Sequence, residues 1–125
     1  MRVREEYTCP LEIVHDIVKG KWKTIIVFSL RKGRMSLSQL QHGINGISEK
    51  MLLEQLRELR QFGIVDKESF EGYPLRVAYF LTARGEKLLE AVEIMQEIGI
   101  EYMIEHGKEE LLKQKGICCS IPTKK

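Results

Sequence analysis

Apolar positions along the chain recur first with the period of a helix, then with that of a strand, then with that of a helix again. Pro10 is tolerated in a first helical turn, and Leu11, Val14, Ile17 and Val18 follow it at helical spacing until Gly20. A second helix is predicted from about Trp22 to Arg31, burying Ile25, Ile26, Phe28 and Leu30, with Gly33 as its stop. Ser36-Leu37-Ser38-Gln39 has the form of a capping box and opens a short helix that ends at Gly43. After Gly43-Ile44-Asn45-Gly46, Ser48 caps a longer helix that reaches Phe62 and stops at Gly63. Residues 64–70 and 76–81 then alternate as strands on either side of Glu71-Gly72-Tyr73-Pro74. Thr82 caps a last long helix from about Ala83 to about His106.

Two helices joined by a tight glycine-containing turn make a helix-turn-helix, and a β-hairpin directly after it is a wing. The expected fold is therefore mainly α with a small β-hairpin. It is one winged helix-turn-helix domain over 1–125, with the helix-turn-helix at about 36–62 and the wing at about 64–81. A dimerisation helix follows at about 83–106, and a tail at 107–125 reads as partly disordered. In the last helix, Glu86, Glu90, Glu93, Glu97, Glu101 and Glu105 form one wet stripe. The remaining faces, from Leu88 to Ile104, are too widely apolar for one small domain. One of them is expected to meet a partner subunit.

Charge sharpens this picture because it is divided unevenly. The chain has a formal net charge of +2, with seven Lys/Arg against four Asp/Glu over 31–67 and four against eight over 82–113. A polyanion suits the first stretch and not the second. On the helix opened by Ser48, Leu52, Leu56 and Leu59 share one face, and Lys50, Glu54, Arg57 and Gln61 lie roughly opposite. That polar face would enter the major groove of duplex DNA with its N-terminal residues nearest the base edges. Ser36, Ser48, Lys50, Met51, Gln55 and Arg57 are the candidate DNA-binding residues there, and Lys67 and Arg76 are those of the wing. A solvated helix face and an ordinary exposed hairpin are the plainer alternatives. Glu49 and Glu54 oppose phosphate unless one of them accepts from cytosine, and Leu53 is oddly apolar for a groove-facing flank.

No nucleophile elbow, P-loop or dinucleotide fingerprint occurs, so no catalytic residue and no cofactor is expected. His15, His42 and His106 share no ligand spacing with the cysteines, and no metal site is expected either. The chain lacks an apolar run long enough to span a membrane and a signal-peptide pattern at its start, and it reads as cytoplasmic. Three cysteines, Cys9, Cys118 and Cys119, form no disulfide framework. Cys9 directly precedes a helix, whose dipole favours a thiolate, and Arg2, Arg4, Lys21 and Lys23 are candidate neighbours. It is therefore a candidate redox-sensing residue, the alternative being a small thiol packed at a helix end. Cys118 and Cys119 are candidate resolving partners.

An ordered series of landmarks resembles the HxlR-type winged helix-turn-helix transcriptional regulators, relatives of the MarR family. The series runs through Cys9-Pro10, Gly20-Lys21-Trp22-Lys23, Leu30, Gly33 and Gln39-Leu40. It continues with Ile44-Asn45-Gly46-Ile47-Ser48, Leu52, Leu56-Arg57-Glu58-Leu59 and Gly63-Ile64-Val65, then Pro74, Val77, Ala78-Tyr79, Leu81-Thr82 and Gly85. The resemblance covers about residues 9–103. It implies a homodimer on a pseudo-palindromic duplex, with the first and last helices at the interface and, in several members, sensing of oxidants or electrophiles through the cysteine matching Cys9. Ser36-Leu37 stands where an Arg-Phe pair is usual, Leu53 where a polar residue is, and Gly99 near a frequent Trp. The sequence names no small-molecule effector. A winged helix used for protein–protein contact without DNA is the rival reading.

Overall fold

A computed structural model of the chain describes residues 6, 8–72 and 76–114. Helices α1 (Pro10–Val18) and α2 (Lys23–Ser29) lead through a tight 3₁₀ turn, Leu30–Lys32, into a two-residue strand β1 (Met35–Ser36). Helices α3 (Leu37–Gly43) and α4 (Glu49–Gln61) follow, then strands β2 (Val65–Phe70) and β3 (Arg76–Leu81), and finally α5 (Ala83–Glu105) and α6 (Glu109–Gln114). The chain divides into two compact units, Met1–Leu89 and Glu90–Lys125, the boundary falling within α5.

Both helix starts of the helix-turn-helix form as their side chains dictate. Ser36 Oγ accepts from the Gln39 amide at 3.1 Å while Gln39 Oε1 accepts from the Ser36 amide at 2.9 Å, which closes the reciprocal box. Ser48 Oγ accepts from the Met51 amide at 3.1 Å and starts α4. Between them Gly46 adopts φ +87°, a left-handed conformation that a side chain would strain.

The sheet has three strands rather than a hairpin alone, in the order β1-β3-β2, all antiparallel. Val65 pairs with Leu81 and Phe70 with Arg76 along the hairpin, and Met35 and Ser36 pair with Tyr79 and Ala78. A two-residue strand has no period to read, so β1 leaves no mark in the sequence pattern.

The core of the first unit gathers Ile26, Val27, Leu30, Leu40, Ile44, Ile47, Leu52, Leu56, Leu59, Ile64, Val65 and Tyr79. Helix α2 is shorter than its apolar run suggests and turns Val27 inward, leaving Ile25 exposed and Phe28 half-buried. In α1 only Ile17 of the four expected apolar residues is buried, and Leu11 is 76% exposed.

A close seam ties the end of the helix-turn-helix to the end of the sheet. Thr82 Oγ1 donates to the carbonyl of Gly63 at 2.5 Å, has that of Ile64 at 3.1 Å, and accepts from the Gly85 amide at 3.1 Å. Arg84 donates to the Phe62 carbonyl at 2.8 Å. A Cβ at Gly85 would lie 2.1 Å from the Ile64 carbonyl oxygen, so no side chain fits there.

Candidate nucleic-acid interface

Helix α4 is amphipathic. Leu52, Leu56 and Leu59 are buried, while Glu49, Lys50, Leu53, Glu54, Arg57, Arg60 and Gln61 are exposed. Beneath it lies an ion pair that the sequence pattern did not reveal. Lys23 and Glu58 are 3% and 5% exposed, with Nζ 2.9 Å from Glu58 Oε1 and 2.8 Å from Gln55 Oε1. Buried charges are tolerated only when paired and hydrogen-bonded, and this pair joins α2 to α4 as a strut. Burial alone would push the Glu58 carboxyl up; the positive charge and hydrogen bonds around it, Lys23 foremost, hold it below its ordinary value of 4.5.

The candidate DNA-binding residues fall into two groups. Lys50 and Arg57 are exposed on α4, Lys67 and Arg76 are exposed on β2 and β3, and Ser48 is exposed at the α4 start. Ser36, Met51 and Gln55 are half-buried. The Gln55 amide oxygen is held by Lys23 and its amide nitrogen lies 3.5 Å from Met51 Sδ, so both side chains are engaged beneath the exposed face. The Ser36 hydroxyl is occupied as a cap.

A crevice of about 280 Å³ runs between α4 and the sheet, lined by Leu53, Glu54, Leu56, Arg57, Arg60, Lys67 and Tyr79. Arg60 and Lys67 join Arg57 there, and Arg60 also lies 3.7 Å from Asp66. Arg34, over the Phe80 ring at 4.4 Å, pairs with Glu68 at 3.0 Å and adds another cation beside the sheet. The sequence reading missed Arg60 and Arg34. Arg60 falls at the edge of the helical wheel's polar arc, and Arg34 precedes a strand too short to be seen.

Cys9 is exposed and is the free cysteine among the described residues. The amides of Thr8 and Cys9 both donate to Glu12 Oε2, at 2.7 and 3.3 Å, so part of this helix start already faces a carboxylate. Lys23, expected as a neighbour of the thiol, is instead committed to the buried strut, and Lys21 lies over the Trp22 ring at 4.5 Å. Trp22 is half-buried. Arg2, Arg4, Cys118, Cys119, Pro74 and the tip of the hairpin at 73–75 lie outside the described residues.

The HxlR-like helix-turn-helix family model matches residues 17–107. The chain belongs to that family. This HxlR-like chain is 32% identical over 98 residues to an HTH-type transcriptional regulator of Methanothermobacter thermautotrophicus, spanning 78% of this chain and 75% of that protein. Among solved structures it is similar to a MarR-family transcriptional regulator from Porphyromonas gingivalis, with TM-score 0.72 and 34% identity, covering 80% of this chain and 98% of that one. It is also similar to the redox regulator HypR in its reduced form, with TM-score 0.70 and 31% identity, over 85% and 99% of the two chains. The HxlR-like match spans the helix-turn-helix and wing together with the whole of α5.

Proposed function

We propose that this HxlR-like protein is a dimeric, sequence-specific DNA-binding transcriptional regulator, with α4 in the major groove and the hairpin on the adjacent backbone. The observation that carries the reading is the exposed basic crevice, where Arg57 and Arg60 of α4 converge with Lys67 of β2. Lys50 and Arg57 would read bases, and Lys67, Arg76 and the Ser48 hydroxyl would hold phosphates. Ser36, Met51 and Gln55, half-buried, would add contacts at the edge of that face, the capping hydroxyl of Ser36 keeping its hydrogen for a phosphate as that of Ser48 does. The partner is a pseudo-palindromic duplex with half-site centres about 34 Å apart, as two-fold symmetry requires. The second subunit is another copy of this chain, meeting the exposed apolar side chains of α1 and α5. Among the described residues no helix is long and apolar enough to cross a membrane. A regulator of this kind acts in the cytoplasm, by binding rather than catalysis.

Similarity to HypR supports thiol sensing as part of the function, with Cys9 as the sensing residue and an adduct or disulfide there altering the spacing of the two reading helices. The carboxylate of Glu12 beside Cys9 opposes a second negative charge at that helix start.

The test is a titration of fluorescent duplex, taken from a randomised pool enriched on the full chain, against scrambled duplex at two salt concentrations. Selective binding that weakens steeply with salt is expected. Oxidant should change that affinity in the wild type and leave Cys9→Ser unaffected. Equal binding to both duplexes would sink the DNA reading and favour a protein-contact module, the reading to which exposed Leu53 and Glu54 otherwise lend themselves.

A further inference from the structure

Resting on the reading that α4 enters the major groove, we propose that Leu53 recognises the 5-methyl group of a thymine in each operator half-site. Leu53 is 43% exposed on the same face as Lys50 and Arg57, one helical turn from each. An exposed leucine is ordinary on a protein surface. This one is placed differently, at the mouth of the crevice between α4 and the sheet, where Leu56 and Tyr79 contribute the apolar wall and Arg57, Arg60 and Lys67 the basic rim.

A leucine can neither donate nor accept, so it reads none of the hydrogen-bonding code of the major groove. One base edge there carries an apolar group, the thymine methyl, and contact with it is the recognition open to such a side chain. The basic rim decides the class of partner. An apolar protein surface would have to bury Arg57 and Lys67 beside Leu53, Arg60 already having Asp66 at 3.7 Å, whereas a duplex brings phosphates to the basic rim as it brings its base edges to the leucine. Glu54, the next residue on that face, adds that phosphate itself is unwelcome at this spot and a base edge preferable.

The experiment uses a duplex enriched from the randomised pool by the full chain, resynthesised with deoxyuridine replacing each thymine in turn, which removes the methyl alone. One position in each half-site should lose about fourfold in affinity, the value of burying one methyl-sized group. Leu53→Ala should bind the thymine and deoxyuridine duplexes equally at that position while keeping wild-type sensitivity at Lys50 and Arg57. Because Leu53 is substantially exposed, its alanine variant should melt within a few degrees of wild type, which a thermal scan checks. Selective binding indifferent to deoxyuridine everywhere, or a methyl dependence that survives Leu53→Ala, overturns the assignment and leaves the regulator reading standing. A pool from which nothing is enriched overturns both, with Leu53 then fitting an apolar protein partner.

Discussion

Helices α4 and α5 dispose of their apolar side chains in different ways, and the difference indicates what each exposes to a partner. In α4 the leucines at 52, 56 and 59 go inward and the outer face is charged or polar apart from Leu53. The helix needs nothing beyond its own unit to cover its apolar face, and what remains is chemistry for a polyanion. In α5 Ile94, Met95, Ile98 and Tyr102 remain exposed among glutamates at 90, 93, 97, 101 and 105. Apolar side chains in such number on one helix fit a protein surface, and its acids repel DNA. One helix reads as facing nucleic acid and the other as facing a second subunit.

The largest expected effect attacks the α5 side of this contrast. Ile98, 59% exposed, would lie in the proposed dimer interface, so Ile98→Glu should cost about 3 kcal/mol or more across two copies of that interface. Sedimentation velocity should show monomers where the wild type sediments as a dimer, and a dimer that persists would place the interface elsewhere. DNA affinity should fall with it, because two half-sites are no longer linked.

Within α4 the strut carries the next largest effect. Lys23→Ala removes the cation and the donor that Gln55 and Glu58 share across α2 and α4, and should destabilise the fold by about 2 to 3 kcal/mol in urea unfolding. Glu58 also gives the acid limb of stability a definite sign. Its folded-state value lies below the ordinary 4.5, so the stabilisation is fully present above that value. It is lost as pH falls through the folded-state value. Urea midpoints measured from pH 7 downward should therefore drop on the acid side, and Glu58→Gln should flatten that part of the curve.

Smaller effects sharpen the outer face. Arg57→Ala or Lys50→Ala should weaken binding to the enriched duplex by about 1 to 3 kcal/mol where the residue reads a base, while leaving the melting temperature in place. Anisotropy titrations decide between roles. A loss uniform over all duplexes reassigns the residue to phosphate. Ser48→Ala removes the α4 cap and should cost about 1 kcal/mol of stability, seen as a modest fall in the urea midpoint.

The parts of this fold that repeat or cap were legible in the sequence. Ser36 with Gln39, Ser48, the leucines of α4 and the two strands of the hairpin each rest on local rules, and each appears in the structure where those rules put it, although burial along β2 does not alternate. Long-range pairings were not legible. Lys23 and Glu58 lie 35 positions apart, and nothing in either neighbourhood marks them as partners. The same partnership draws Gln55 inward, so a residue expected among the DNA-facing side chains is half-buried. Periodicity says which face a residue occupies, not which polar side chain the core recruits. Spacing likewise marks the apolar residues of α1 without saying what covers them, and Leu11, Ile13 and Val14 are exposed.

The contact between Gly85 and the Ile64 carbonyl also governs how freely the sequence can drift. Gly43 and Gly99 have nothing within 4 Å of an added Cβ, and random substitution should pass through them readily. At position 85 even alanine would have to pry backbone from backbone, because what it meets is a carbonyl oxygen rather than the yielding end of a side chain. Under selection for function a mutagenised population should therefore keep glycine at 85 long after its neighbours have diversified.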